Sequence, residues 1–378
     1  MEKKLFNSLG MMSGTSMDGV DISLIKTDGI NHLERKIDKY YNFPDNLYKK
    51  LINIREKIKI LEDLKTYNQE IRNVEREFTL FHGSILKELI LENEIDIVGF
   101  HGQTIFHSPN DKISLQIGDG KLLSQIIKKT VIFDFRNNDI NHQGQGAPLT
   151  PIYHNLIAKD KFGETQSNTS LYLINIGGIT NITKIDKNFN ENLMEGYDIG
   201  PGNCLIDSWM RKNSNLKFDK DGNTAKSGKL NELIFNQAID NFHSFNFENS
   251  LDIDNFDINF LRGLSIDEGC ATATELTAFL IANGINNIRK KNDELDLLIF
   301  CGGGRKNKYL LKRIENYIFK EKKFIIKNID DYNINGDFVE SQAFGYLAVR
   351  SILNLPISFP KTTRCKKAIS GGKIAKYS

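Results

Sequence analysis

Leu171-Tyr-Leu-Ile-Asn-Ile-Gly-Gly-Ile-Thr-Asn-Ile-Thr-Lys-Ile185 is an apolar run, a turn at Gly177-Gly178, and a second apolar run. A small-residue turn between two such runs reads as a β-hairpin. The chain opens on the same plan. Lys4 to Met12 is a short apolar run, Gly14-Thr15-Ser16-Met17-Asp18-Gly19 is a turn, and Val20 to Lys26 alternates apolar with polar residues. One hairpin opening each half predicts a duplicated architecture.

Other elements alternate around these hairpins. From Ile60 to Asn93, Leu61, Leu64, Tyr67, Ile71, Val74, Phe78, Phe81, Ile85 and Leu89 recur at a helical period. Asp96–Phe100 and Val131–Phe135 read as strands. Helices are expected near Asn203–Lys212, Lys229–Phe242 and Glu268–Lys291. Leu295–Cys301 reads as a buried strand ending at Gly302-Gly303-Gly304 and opening a helix through Ile314. Strands alternating with helices define an α/β chain. The least ordered segments are expected at Lys187–Asn192, Phe245–Asp257 and the basic tail from Lys361, which carries six cations to Lys376.

Composition narrows the function classes. The 378 residues suggest two domains. Hydrophobic residues are 40% and charged residues 26%, which excludes a disordered or fibrous chain. A net charge of +2 gives no global field for nucleic acid or an acidic membrane. Asn7, Ser8 and Gly10 interrupt any signal-peptide core, and no apolar run approaches the ~20 residues of a membrane span. Cys204, Cys270, Cys301 and Cys365 are scattered without a C-x-x-C pair, so reduced thiols in a cytoplasmic protein are expected.

Three motifs carry candidate chemistry. In Gly14 to Asp21, backbone amides and hydroxyls can approach phosphate oxygens, and Asp18 can reach a magnesium ion directly or through water. The stretch is neither a P-loop nor a G-x-G-x-x-G fingerprint, and it also suits an ordinary hairpin turn. Asp198 precedes Gly200-Pro201-Gly202-Asn203, with Asp207 one helical turn further on. It is placed either to project into a cleft or to cap a turn. Gly302, Gly303 and Gly304 fit either a nucleotide contact or a tight strand–helix junction. Four of the seven histidines (His101, His107, His142, His154) fall close together, but without the spacing of a metal hydrolase.

In order along the chain, the segments MSGTSMDGVD (Met12–Asp21), HGQT (His101–Thr104), QIGDG (Gln116–Gly120), DFRNND (Asp134–Asp139) and GQGAPLTPIYH (Gly144–His154) are followed by five more. These are NIGGITNIT (Asn175–Thr183), YDIGPGN (Tyr197–Asn203), FDKDG (Phe218–Gly222), CGGGRKN (Cys301–Asn307) and ESQAFGYLA (Glu340–Ala348). Together they resemble the anhydro-N-acetylmuramic acid kinases of the actin, Hsp70 and sugar-kinase superfamily. The resemblance implies two actin-like (ribonuclease H-like) α/β domains with a cleft between them. The expected division is residues 1–128 joined by the tail 350–378, and residues 129–349.

The resemblance also implies roles. Gly14, Thr15, Ser16, Met17, Asp18, Gly19, Val20 and Asp21 would hold the phosphates of ATP, assisted by Gly177 and Gly178. Gly302, Gly303 and Gly304 would lie near the adenosine, and Asp18 would serve magnesium. Asp198 matches the catalytic base. Gln103, Thr104, Arg136, Asn203 and Glu340 lie in motifs that line the sugar site. The implied reaction opens 1,6-anhydro-N-acetylmuramic acid with water and phosphorylates O6, within peptidoglycan recycling in the cytoplasm. A homodimer is the implied assembly, with no nucleic-acid or membrane partner. A kinase of another anhydrosugar, such as levoglucosan, and a non-catalytic actin-like nucleotide switch are the rival readings. Three departures from the family pattern stand out: His142-Gln143 before the Gly144-Gln145-Gly146 loop, Ile199 beside the base, and the ending near Thr362-Thr363-Arg364-Cys365.

Overall fold

The two hairpins form as their sequences require. In the computed structural model, which describes residues 4–163, 169–242, 249–289 and 295–377, thirteen strands are present among the described residues. They are β1 (Phe6–Met12), β2 (Gly19–Thr27), β3 (Leu33–Asn42), β4 (Ile97–Phe100), β5 (Gln103–Ser108), β6 (Ile113–Ile117) and β7 (Thr130–Phe133). Then follow β8 (Thr169–Ile176), β9 (Ile179–Lys184), β10 (Glu195–Pro201), β11 (Leu295–Cys301), β12 (Phe324–Asn328) and β13 (Lys373–Ala375). β1 pairs antiparallel with β2 from Phe6–Thr27 to Met12–Asp21, and β8 pairs likewise with β9 from Tyr172–Lys184 to Ile176–Thr180.

The chain divides into two compact units, Met1–Lys161 with Phe338–Ser378, and Phe162–Asp337. The first holds a sheet ordered β13-β7-β4-β1-β2-β3, and the second a sheet ordered β10-β9-β8-β11-β12. β2 and β9 run antiparallel to their neighbours, whereas β4 and β7, like β11 and β12, continue parallel to the first strand of each hairpin. Leaving aside the appended β13, each sheet therefore runs third, second, first, fourth, fifth strand. That repeated order is the actin-like, ribonuclease H-like α/β arrangement, and it makes the duplication explicit.

The unit boundaries differ from the expected 128/129 and 349/350. β7 is a parallel neighbour of β4, which brings residues 129–161 into the first unit. The helix Val339–Ile352 packs on β1 and β2. There Ser8 Oγ donates to the Gly345 carbonyl at 2.7 Å, and the Ser23 and Ser341 hydroxyls meet at 2.6 Å. A buried helix face with such polar partners cannot leave its sheet without orphaning them.

Other expectations shift at their edges. The helix read from Ile60 begins at Asn68 and runs to Glu92, after a short turn of helix at Asp63–Thr66. The Asp63 carboxylate accepts the Lys59 and Ile60 amides at 2.8 and 2.9 Å, bending the chain where the period appeared continuous. The helix expected at Glu268–Lys291 spans Ile266–Ile288, and Lys290 and Lys291 lie outside the described residues, as do residues 245–248 of the expected irregular segment. The tail is ordered, contrary to expectation. Thr362, Thr363 and Cys365 are buried, and β13 pairs with β7. Among the described residues no helix is long and apolar enough to cross a membrane. All four cysteines are buried, and none forms a disulfide.

Candidate active site

In the second unit the glycine motifs converge. β8 ends at Ile176, β10 at Pro201 and β11 at Cys301, and all three strands point the same way. Ligands of open α/β sheets bind outside such carboxyl ends. The Gly177 and Gly178 carbonyls accept the amides of Gly202, Asn203 and Cys204 at 2.8, 2.7 and 3.3 Å, so the turn between β8 and β9 caps the helix Cys204–Asn213. A Cβ on Gly202 would stand 2.1 Å from the Gly177 carbonyl oxygen, so only glycine lets these backbones meet. Gly302 adopts φ +76, and the Asn203 side chain lies against Gly303 and Gly304. The structure thus brings Gly177, Gly178, Asn203, Gly302, Gly303 and Gly304 together.

Asp198 sits on β10 itself, beside a bulge that displaces Ile199 from the ladder. The residue is 7% exposed, and Oδ2 accepts the Leu251 amide at 2.9 Å. Ile199 turns to the other face, against Gly284 of the helix Ile266–Ile288. That departure from the family pattern therefore faces the core.

In the first unit the turn after β1 is laid out for an oxygen-rich ligand. Thr15 and Ser16 are exposed, and a Cβ on Gly14 would meet nothing within 4 Å. Ser16 Oγ donates to Asp18 Oδ1 at 2.6 Å, and Tyr40 also bonds Asp18; burial, then the Asp18 charge, pushes the Tyr40 phenol up. Met17 and Val20 are fully buried, so only their backbones face a ligand, while Gly19 and Asp21 lie in the β2 ladder. The Asp18 carboxylate among hydroxyl oxygens suits a hard cation completed by phosphate and water.

The HGQT and DFRNND motifs meet beside this turn. Gln103, 1% exposed, donates from Nε2 to the Gly14 carbonyl at 3.1 Å. Thr104 Oγ1 accepts from Gln116 Nε2 at 3.3 Å. Arg136 donates from Nη1 to the Gly146 carbonyl at 2.9 Å, and Nε and Nη2 lie 3.2 and 3.0 Å from His101 Nε2. A guanidinium only donates, so His101 Nε2 accepts and Nδ1–H, 2.8 Å from the Gly102 carbonyl, donates. Burial, then the Arg136 charge, pushes the His101 imidazole well below its ordinary range, so it is neutral. Sequence reasoning noted His101 among the clustered histidines and inside a quoted motif, but gave it no role at the site.

The loop carrying Gly146 is fixed by Asp139, whose Oδ2 accepts the Gly146 amide at 2.7 Å and whose Oδ1 accepts the Thr363 hydroxyl at 2.6 Å. The departing pair His142-Gln143 is exposed outside that anchor. Glu340 lies in the first turn of Val339–Ile352 and is part-exposed. Sequence reasoning also missed Arg305, which holds the Gly302 loop from below.

A family model described as anhydro-N-acetylmuramic acid kinase matches residues 6–377. A protein of that description from Pelagibacter ubique is 46% identical, over 99% of both chains. One from Brucella canis is 34% identical over 97% of this chain and 98% of that one, and one from Zymomonas mobilis is 34% identical over 97% and 99%. Among solved structures, the (R)-2-hydroxyglutaryl-CoA dehydratase component A of Acidaminococcus fermentans aligns over 91% of this chain and 98% of that one, at 10% identity and a TM-score of 0.42. A match that runs nearly end to end, through every motif described above, places this chain in the anhydro-N-acetylmuramic acid kinase family.

Proposed function

We propose that the chain uses ATP and water to convert 1,6-anhydro-N-acetylmuramic acid to N-acetylmuramic acid 6-phosphate and ADP, a step of cytoplasmic peptidoglycan recycling. The observation that carries this reading is a buried carboxylate, Asp198, set on the strand beside three converging glycine turns in a member of this kinase family. Asp198 takes a proton from water, and the water oxygen attacks the anomeric carbon. The C1–O6 bond breaks, and O6 accepts the γ-phosphoryl group. A carboxylate suits this work because a positioned base near the reacting proton contributes roughly 10²–10⁴-fold.

Gly14 to Asp21, assisted by Gly177 and Gly178, would bind the phosphates, and Gly302 to Gly304 would bind the adenosine side. Gln103, Thr104, Arg136, Asn203 and Glu340 would bind the sugar. Asp18 would hold magnesium, whose chemistry when bound is to neutralise phosphate charge. The neutral His101 accepts from two nitrogens of the Arg136 guanidinium and so fixes its orientation.

The test is mass spectrometry of the product formed in heavy-oxygen water. One solvent oxygen together with one phosphate is expected. A phosphorylated product that retains the anhydro bridge, or no product at all, would overturn the reading.

A further inference from the structure

A row of paired residues crosses the second sheet. Cys301 of β11 pairs with Asn175 of β8, Asn175 with Asn181 of β9, and Asn181 with Asp198 of β10. Directly opposed residues of neighbouring strands send their side chains to one face, and in antiparallel pairs such as Asn175–Asn181 and Asn181–Asp198 their Cβ atoms stand about 4.5–5.5 Å apart. Ile182 and Ile199, the next residues along β9 and β10, belong to the core that includes the helix Ile266–Ile288. The row therefore lies on the opposite face, with the Gly302 loop at one end and Asp198 at the other.

Asn181 is distinctive within it. Its side-chain Oδ1 is buried and accepts no hydrogen bond. An unsatisfied buried acceptor is destabilising, and one standing beside a reactive carboxylate is accounted for when a ligand brings the donor. The ionised Asp198 carboxylate is also an acceptor only. Two acceptors on adjacent strands match a small donor with two hydrogens, which is water; a sugar hydroxyl offers only one.

We infer that Asn181 positions the water that Asp198 activates, an inference that rests on Asp198 being the base. The water donates one hydrogen to Asn181 Oδ1 and the other to Asp198, which turns a lone pair toward the anomeric carbon. As the new oxygen–carbon bond forms, the second hydrogen passes to Asp198 as a proton. The C1–O6 bond breaks, and O6 keeps the electron pair with which it takes the phosphoryl group of ATP, releasing ADP.

The experiment measures steady-state kinetics of Asn181→Ala and Asn181→Ser on the anhydrosugar with Mg-ATP, with Asp198→Asn alongside. The serine hydroxyl stops short of the Oδ1 position and suits a strand, so it guards against an alanine variant that fails to fold. Both Asn181 variants should lose about 10- to 100-fold in kcat, with KM for both substrates within about twofold of wild type. An unchanged kcat, or a raised sugar KM at unchanged kcat, overturns the inference. Normal turnover by Asp198→Asn overturns the underlying reading instead, whereas an inert Asp198→Asn beside fully active Asn181 variants overturns only the role of Asn181.

Discussion

Arg305 closes on Asp330 with two parallel hydrogen bonds, Nε to Oδ2 and Nη2 to Oδ1, each 3.0 Å long. The guanidinium is buried, and its third nitrogen reaches the Gly302 carbonyl at 2.9 Å and Asp337 Oδ1 at 2.6 Å. Asp330 Oδ1 also accepts the Gly336 amide, and the Gly302 amide donates to the Gly336 carbonyl. The glycine loop after β11 is thus clamped by a charged residue of its own motif.

Lysine keeps the charge of Arg305 but lacks the planar fork, so Arg305→Lys gives up the bidentate pair and the Gly302 contact. Hydrogen bonds to charged groups contribute about 1.5–3 kcal/mol each, so the loop should loosen measurably. The expected result is a KM for Mg-ATP raised about tenfold, an unchanged sugar KM and a lowered melting temperature. Kinetics with each substrate varied in turn check this. Equal loss on both substrates would point to general unfolding rather than a loosened loop.

Acid should destabilise the fold through its buried imidazoles. Burial pushes His82 down to about 4 and His154 to about 3, and burial with the Arg136 charge takes His101 well below its usual value. These rings are neutral when folded, whereas the unfolded chain protonates them below about pH 6.5. The unfolded state then binds more protons as pH falls, and stability drops with it. Between pH 6.5 and 5, His82 and His154 each contribute a loss of roughly 1–2 kcal/mol, and His101 acts in the same direction. The buried Asp139 and half-buried Glu75 carboxyls are pushed up by desolvation and act in the opposite sense. Thermal unfolding at several pH values should show a steep decline below pH 6.5, shallower in His82→Leu.

Much of the fold was legible because apolar runs meeting at glycine turns leave few alternatives. β11 falls on Leu295–Cys301 as expected, and both hairpins pair in register. β3 was hidden because Leu33–Asn42 is an edge strand, largely charged and exposed. β10 was hidden because Gly200 and Pro201 look like a loop, yet Gly200 at φ +151 continues the strand past a bulge. The tail read as solvated by charge alone, while Thr363 contributes a hydroxyl to buried Asp139 from 224 residues away. The motifs marked the candidate site, but His101, Asn181 and Arg305 depend on partners that no local period encodes. Arg136 lies 35 residues from His101, and Asp330 25 residues from Arg305.

Asp198 gives the sharpest separation between chemistry and architecture. Its Oδ2 accepts the Leu251 amide at 2.9 Å, a bond that holds the segment before the short helical turn Ile253–Asn255. Asparagine is nearly isosteric and still offers an amide oxygen to that donor, so Asp198→Asn should cost less than about 1 kcal/mol of stability, the scale of a lost turn cap. The neutral amide cannot take a proton from water. If Asp198 is the base, turnover should fall at least about a hundredfold while the melting temperature barely moves. ATP binding should persist, because the substitution leaves Gly14 to Asp21 and the glycine turns at Gly177 and Gly302 unchanged. Calorimetric titration of Asp198→Asn with an ATP analogue, read beside its turnover, checks both halves. Near-normal turnover would remove Asp198 from the mechanism and make Glu340, in the first turn of Val339–Ile352, the next carboxylate to replace.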